Sequence, residues 1–165
     1  MATSTSYDTR AIAAAFTLQG DYVSAEPYGS GHINDTFALE MSQGGYRLRY
    51  VLQRINHNIF KNPDGLMRNV ERVCRHAQAK LTQAGRHDAS RRALTLVPTR
   101  EGRGWYVDAH GNHWRCYIFV ERATGHDVIR NADQAYQAAK AFGARVMLVN
   151  GLTAARSNWL ADQLT

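Results

Sequence analysis

The chain has 165 residues, 20 Lys and Arg against 14 Asp and Glu, a formal net charge of +6, and 44% apolar residues. That length suits one ordinary domain and excludes two large ones; at this size roughly 70% of the unfolded surface can be buried, so folding requires neither disulfides nor a metal. Two cysteines, Cys74 and Cys116, argue for a reducing compartment and against a disulfide scaffold or a cysteine-rich zinc site. The longest apolar runs, 11–16 and 116–120, are far shorter than the roughly 20 residues of a membrane span. Residues 1–8 are polar, with no basic stretch leading into an apolar one, so the chain is expected to be cytoplasmic, with no membrane partner. The positive charge favours an anionic partner, yet the cations are scattered. Their densest cluster, Arg86 with Arg91 and Arg92, lies in a polar stretch and reads as a solvated connection, not a nucleic-acid patch.

In chain order, residues 9–18 set Ile12, Phe16 and several alanines behind an Asp8 or Thr9 cap and before Gly20, which predicts a short helix. Residues 22–28 read as a strand broken by Gly29-Ser30-Gly31, residues 36–41 as a second, and residues 46–55 as a third after the Gln43-Gly44-Gly45 turn. Tight turns between them predict an antiparallel meander. Asn62-Pro63 then opens the longest helical pattern, because Asn caps free amides and Pro suits the first helical position. Leu66, Met67, Val70, Val73, Cys74, Ala77 and Leu81 recur at helical spacing up to Gly85, an amphipathic helix expected to lie on the sheet. Residues 85–92 read as a polar linker and 93–98 as a fourth strand. Residues 105–108 and 113–121 form a last hairpin, whose second arm is apolar enough to be a central strand. Residues 131–142 are helical again, and beyond Gly143 the periodicity degrades. The expected fold class is α+β: about five antiparallel strands, one long helix packed across them, and a helix at each end.

The segment richest in chemistry is Pro27-Tyr28-Gly29-Ser30-Gly31-His32-Ile33-Asn34-Asp35-Thr36-Phe37. Glycines between two strands let backbone amides surround a phosphate that bulkier residues would hold away. The spacing is neither the P-loop nor the dinucleotide pattern, and Gly-x-Gly alone also fits a plain hairpin turn. The third strand ends in Leu52-Gln53-Arg54, and the long helix carries Glu71 at the edge of its apolar face. A strand cation behind a glycine-rich hairpin, paired with a carboxylate from the next helix, is how kinase-like folds hold nucleotide phosphates. Strict alternation groups Arg54 with Tyr46, Leu48, Tyr50 and Leu52, the apolar face expected to meet the long helix.

Ordered blocks extend that pattern: Glu26-Pro27-Tyr28-Gly29-Ser30-Gly31-His32-Ile33-Asn34, Tyr50-Val51-Leu52-Gln53-Arg54-Ile55-Asn56, Leu66-Met67-Arg68-Asn69-Val70-Glu71, and Trp114-Arg115-x-Tyr117 with Phe119-x-Glu121. Over about residues 10–143 the chain resembles the N-acetylhexosamine 1-kinases of the aminoglycoside phosphotransferase superfamily. Members use ATP and Mg²⁺ to phosphorylate the anomeric hydroxyl of an N-acetylhexosamine sugar. The resemblance implies a kinase-like small lobe over residues 1–123. Gly29, Ser30, Gly31, His32 and Asn34 would lie over the nucleotide phosphates, with His32 and Asn34 facing either nucleotide or sugar. Glu71 would be the helix carboxylate, and Glu121 to Ala123 the hinge that meets adenine. A gap-free match puts Gln53 at the phosphate-side strand position; the need for a charge favours Arg54, and both stay open.

The superfamily's catalytic and metal-binding aspartates, found in a His-Asn-Asp or His-Gly-Asp segment and beyond, have no counterpart: His87-Asp88 and His126-Asp127 lack the following residues, and His57-Asn58 precedes Ile59. No catalytic residue and no metal ligand is therefore expected. Residues 124–143 would be a post-hinge helix and 144–165 an atypical tail, so the chain is expected to be a truncated lobe, inactive alone, its tail from a shifted reading frame. The competing expectation is a basic α+β module for nucleic acid or another anion, with Tyr46, Tyr50, Trp105, Trp114, Tyr117 and Phe119 as stacking platforms. A zinc site is disfavoured, because the close pair His110 and His113 brackets a turn.

Overall fold

The computed structural model describes residues 7–123 and 128–149, the side chains of 145–149 excepted. Helix α1, Thr9–Ala14, starts where Asp8 accepts a hydrogen bond from the Ala11 amide at 2.9 Å. Strands β1 (Asp21–Pro27), β2 (Asp35–Gln43) and β3 (Tyr46–Ile55) follow as an antiparallel meander. Gln43 pairs with Tyr46 across Gly44 and Gly45, both at positive φ, the two-residue turn whose twist matches that of the strands. Helix α2 (Pro63–Gln83) begins at Asn62, whose side chain accepts from the Gly65 amide at 2.8 Å. A one-turn helix α3 (Ala89–Arg92) stands in the stretch read as linker. Strands β4 (Leu96–Val97), β5 (Tyr106–Val107) and β6 (His113–Ile118) and helix α4 (Ala132–Val149) complete the order.

The described residues are thus α+β, with a six-stranded antiparallel sheet in the order β1-β2-β3-β6-β4 and β5 paired to β6. The apolar strand β6 is central, between β3 and β4, as its composition predicted. The predicted strand 93–98 shrinks to two residues, because Leu96 and Val97 alone have ladder partners on β6. Helix α4 runs through Val149, past the Gly143 boundary read from periodicity; residues 124–127 and 150–165, including most of the expected tail, lie outside the described residues.

The side of the sheet on which the main core lies departs from expectation. Residues of β3 alternate, so Tyr50, Leu52 and Arg54 share one face and Val51, Gln53 and Ile55 the other. The even face was expected to meet the long helix. It carries instead the main buried cluster, where Leu52, Tyr50, Trp114 and Leu39 pack with Ile12 and Phe16 from the N-terminal segment. The Tyr7 ring stands edge-on to Trp114 at 5.0 Å and to Phe37 at 6.1 Å. Helix α2 lies over the opposite, more polar face, where its fully buried Met67 approaches Arg115, the cross-strand partner of Gln53. The reason is shape and composition together. Short α1 and the turn after it offer an all-apolar edge, whereas the stripe of α2 leaves Val73 exposed and accommodates polar groups beneath it.

No helix among the described residues is long and apolar enough to cross a membrane.

Candidate functional site

The Gly29–Asn34 loop joins β1 to β2 at the end of the sheet where β3 finishes and β6 begins. Its base is closed by Tyr28, whose amide donates to the Thr36 carbonyl at 2.9 Å. Asn34 is half-buried, and its Oδ1 accepts from the Asn56 amide at 2.9 Å, tying the loop to the exit of β3. Gly29 has φ +88°, and nothing stands within 4 Å of where a Cβ would project from Gly29 or Gly31. The loop is open backbone with room for a ligand against it, and Ser30 and His32 are exposed on it. Tyr28, Gly29, Gly31, Asn34, Asp35 and Arg54 line a cleft of about 410 Å³ beside it.

Gln53 and Arg54, adjacent in sequence, face opposite sides of the sheet. Arg54 Nε donates to Asp35 Oδ2 at 2.6 Å, its guanidinium lies 5.6 Å from the Tyr7 ring centre, and the Tyr7 hydroxyl donates to the same carboxylate oxygen at 2.8 Å. Burial raises the Asp35 pKa, but the Arg54 and Tyr7 hydrogen bonds and the Arg54 charge outweigh it and hold the carboxyl below its ordinary value. The cation favoured on charge grounds is therefore already neutralised. Gln53 points to the α2 side, where its Nε2 donates to Thr36 Oγ1 at 2.7 Å and its Oε1 accepts from Arg115 Nη2 at 2.6 Å and Nε at 3.0 Å.

Glu71 makes no ion pair with either strand residue. Its Oε1 accepts from the Gly104 amide at 2.6 Å, so it fastens α2 to the turn before β5. The expected strand-to-helix pair is thus not formed, because the helix carboxylate sits toward the 102–104 turn while Arg54 is on the far face of the sheet. At the expected hinge, Glu121 pairs through both carboxylate oxygens with Arg49, whose guanidinium covers the Phe119 ring at 4.1 Å. The Glu121 carbonyl accepts from Arg91 Nη1 at 2.8 Å, and Ala123 is exposed. Tyr28 meets Phe119 edge-on at 5.3 Å, so the glycine loop and the hinge are joined by one aromatic contact.

The residues named from sequence therefore divide. The loop, Gln53 and Arg54 gather at one end of the sheet, on its two faces. Glu71 serves the 102–104 turn, and Glu121 with Ala123 closes the other end of β6. Two participants were given no site role. Thr36 stands inside the glycine-rich segment, where nothing sets it apart from its neighbours. Arg115 does carry a signal: it is the single charge in the apolar run 114–120. Among the described residues no three His, Cys, Asp or Glu side chains converge as a metal site would require. Of the aromatics considered as stacking platforms, Tyr50, Trp114 and Tyr117 are buried in packing, whereas Tyr46 is exposed. A comparison with protein-family models gives no match for this chain.

Proposed function

We propose that the chain is the nucleotide-binding small lobe of an ATP-dependent sugar 1-kinase of the N-acetylhexosamine type. The observation that carries the reading is the common location of its parts: an open glycine loop between β1 and β2, anchored by Asn34 to the end of β3, with Gln53 and Arg54 beside it and α2 entering directly afterwards. The chemistry asked of these parts is limited. Loop amides and a nearby cation bind the ATP phosphates, and the strand that leads to Glu121–Ala123 offers backbone to the adenine edge. The sugar would meet His32 and Asn34.

Proton abstraction from a sugar hydroxyl needs a positioned base, and phosphoryl transfer needs metal-holding carboxylates. The sequence offers no counterpart of the superfamily's catalytic and metal-binding aspartates, so the reading assigns these residues nucleotide binding. The rival reading as a nucleic-acid module is less favoured because Tyr50, Trp114 and Tyr117, three of the aromatics it would use to stack bases, are buried in packing.

Calorimetric titration of the full chain with MgATP tests the reading. Saturable one-to-one binding is expected, together with no sugar 1-phosphate from N-acetylglucosamine in a coupled assay. Absence of saturable MgATP binding would overturn it.

A further inference from the structure

Arg115 differs from the other arginines near the loop in what holds it. Its Nε and Nη2 both donate to the amide oxygen of Gln53, at 3.0 and 2.6 Å, its Nη1 approaches the Met67 sulfur at 3.8 Å, and its guanidinium lies 5.3 Å from the Tyr117 ring centre. Every one of these partners is neutral. No carboxylate lies within ion-pair distance of it among the described residues, although it is half-buried and Met67 beneath it is fully buried. A guanidinium stripped of part of its water and given no counter-charge is poorly compensated unless an anion completes it.

Position supplies the second observation. Thr36, Gln53 and Arg115 are cross-strand neighbours on β2, β3 and β6, so they form one row across the sheet. Thr36 Oγ1 accepts from Gln53 Nε2 at 2.7 Å, which fixes the amide so that its oxygen faces Arg115. Thr36 also accepts the Tyr28 amide through its carbonyl, so the row begins at the base of the glycine loop. A guanidinium has five donors; two go to Gln53 and one to sulfur, leaving two N–H groups with no acceptor among the described residues. Arg54 offers nothing comparable, since Asp35 neutralises it and that carboxylate also lines the cleft on its face.

We infer that Arg115 is the cation that takes the phosphate groups of the bound nucleotide, and that Gln53 is a positioning residue that orients it without neutralising it. The inference rests on the small-lobe reading for the identity of the ligand. It explains why an amide stands at the strand position where a cation was sought: the charge has moved one strand across, and the amide holds it. A carboxylate at residue 53 would bind the guanidinium more tightly and compete with phosphate.

The test is equilibrium binding of MgATP and, separately, of inorganic tripolyphosphate to the full chain and to Arg115→Met, Gln53→Glu, Arg54→Met and Arg47→Met, with a melting temperature for each. Losing a charge-assisted contact to phosphate should weaken both ligands by about tenfold or more in Arg115→Met. Gln53→Glu keeps the arginine, so its melting temperature should hold or rise while both affinities fall by a similar factor, a pairing of effects that a purely structural role would not give. Arg47→Met, which removes an exposed cation of equal charge, should change either affinity less than about twofold. Unchanged affinity in Gln53→Glu, or in a folded Arg115→Met, overturns the inference while leaving the small-lobe reading in place, as does a loss that follows Arg54→Met instead. Arg115-dependent binding of tripolyphosphate without binding of MgATP supports the anion site and overturns the nucleotide reading; wild-type binding of neither ligand overturns both.

Discussion

The indole N–H of the fully buried Trp114 donates to Asp108 Oδ2 at 2.9 Å, and Asp108 Oδ1 accepts from the amides of His110 and Asn112, each at 2.9 Å. One carboxylate therefore closes the β5–β6 turn and satisfies the polar atom of the largest core side chain. Burial raises its pKa, but the hydrogen bonds from Trp114, Asn112 and His110 together outweigh that and hold it below the ordinary carboxylate range. Asp35 is depressed in the same way by Arg54 and Tyr7. Groups with lowered folded pKa values stabilise the fold fully above their unfolded values, about 3.9 for Asp, and lose that contribution as the pH falls through the folded values. The melting temperature should accordingly drop on acidification from about pH 6 to pH 3, and the Asp35→Asn, Asp108→Asn double variant should show a shallower drop. Equal acid slopes in the two proteins would contradict the assignment. Neither carboxylate's role was legible in the sequence, because each depends on a partner brought close only by the sheet, 19 residues away for Arg54 and 6 for Trp114.

At the scale of elements, α2 is held at several places along its length, Gln78 donating to Thr95 Oγ1 at 2.7 Å near its end. Asn62 caps its start, Asp64 Oδ1 accepts from the Trp105 indole at 2.9 Å, and Glu71 accepts from the Gly104 amide. The last tie requires glycine: a Cβ on residue 104 would stand 2.5 Å from Glu71 Oε1 and 2.7 Å from its Cγ. Gly104→Ala should displace the carboxylate and lower stability by about 1–3 kcal/mol, the range for an overpacked site or a lost charge-assisted bond. Chemical denaturation checks this, and an unchanged midpoint would show the contact to be dispensable. The helix itself was legible, since an Asn-Pro start, a long apolar period and Gly85 agree with one another. Strand β3 was legible for the same reason. Strands β4 and β5 were legible as strands within 93–98 and 105–108, but their two-residue extent was not, because pairing with β6 sets it. The side of the sheet that α2 covers was also hidden. Alternation identifies two faces of β3, but only the apolar N-terminal segment, with Phe16 1% exposed, decides which face becomes the core.

For the whole molecule, composition gave a basic chain and the fold redistributes that charge. Most of the arginines that reach a carboxylate are exposed and contribute little to stability; Arg115 reaches none among the described residues and stands in the cross-strand row that begins at the base of the glycine loop. The loop itself was legible from its glycines and the blocks around it. The proposed phosphate cation was not, because Arg115 joins Gln53 only once β3 and β6 are paired and the faces of the sheet are assigned. The central claim, that ATP phosphates bind where the loop meets the Thr36–Gln53–Arg115 row, is tested most directly by mapping amide chemical-shift changes on the isotope-labelled 18.5 kDa chain during titration with MgATP. The changes should concentrate at Gly29 to Asp35, Gln53 and Arg115 and saturate together; changes confined to the exposed Arg86–Arg92 segment, or spread without saturation over the surface, would contradict it.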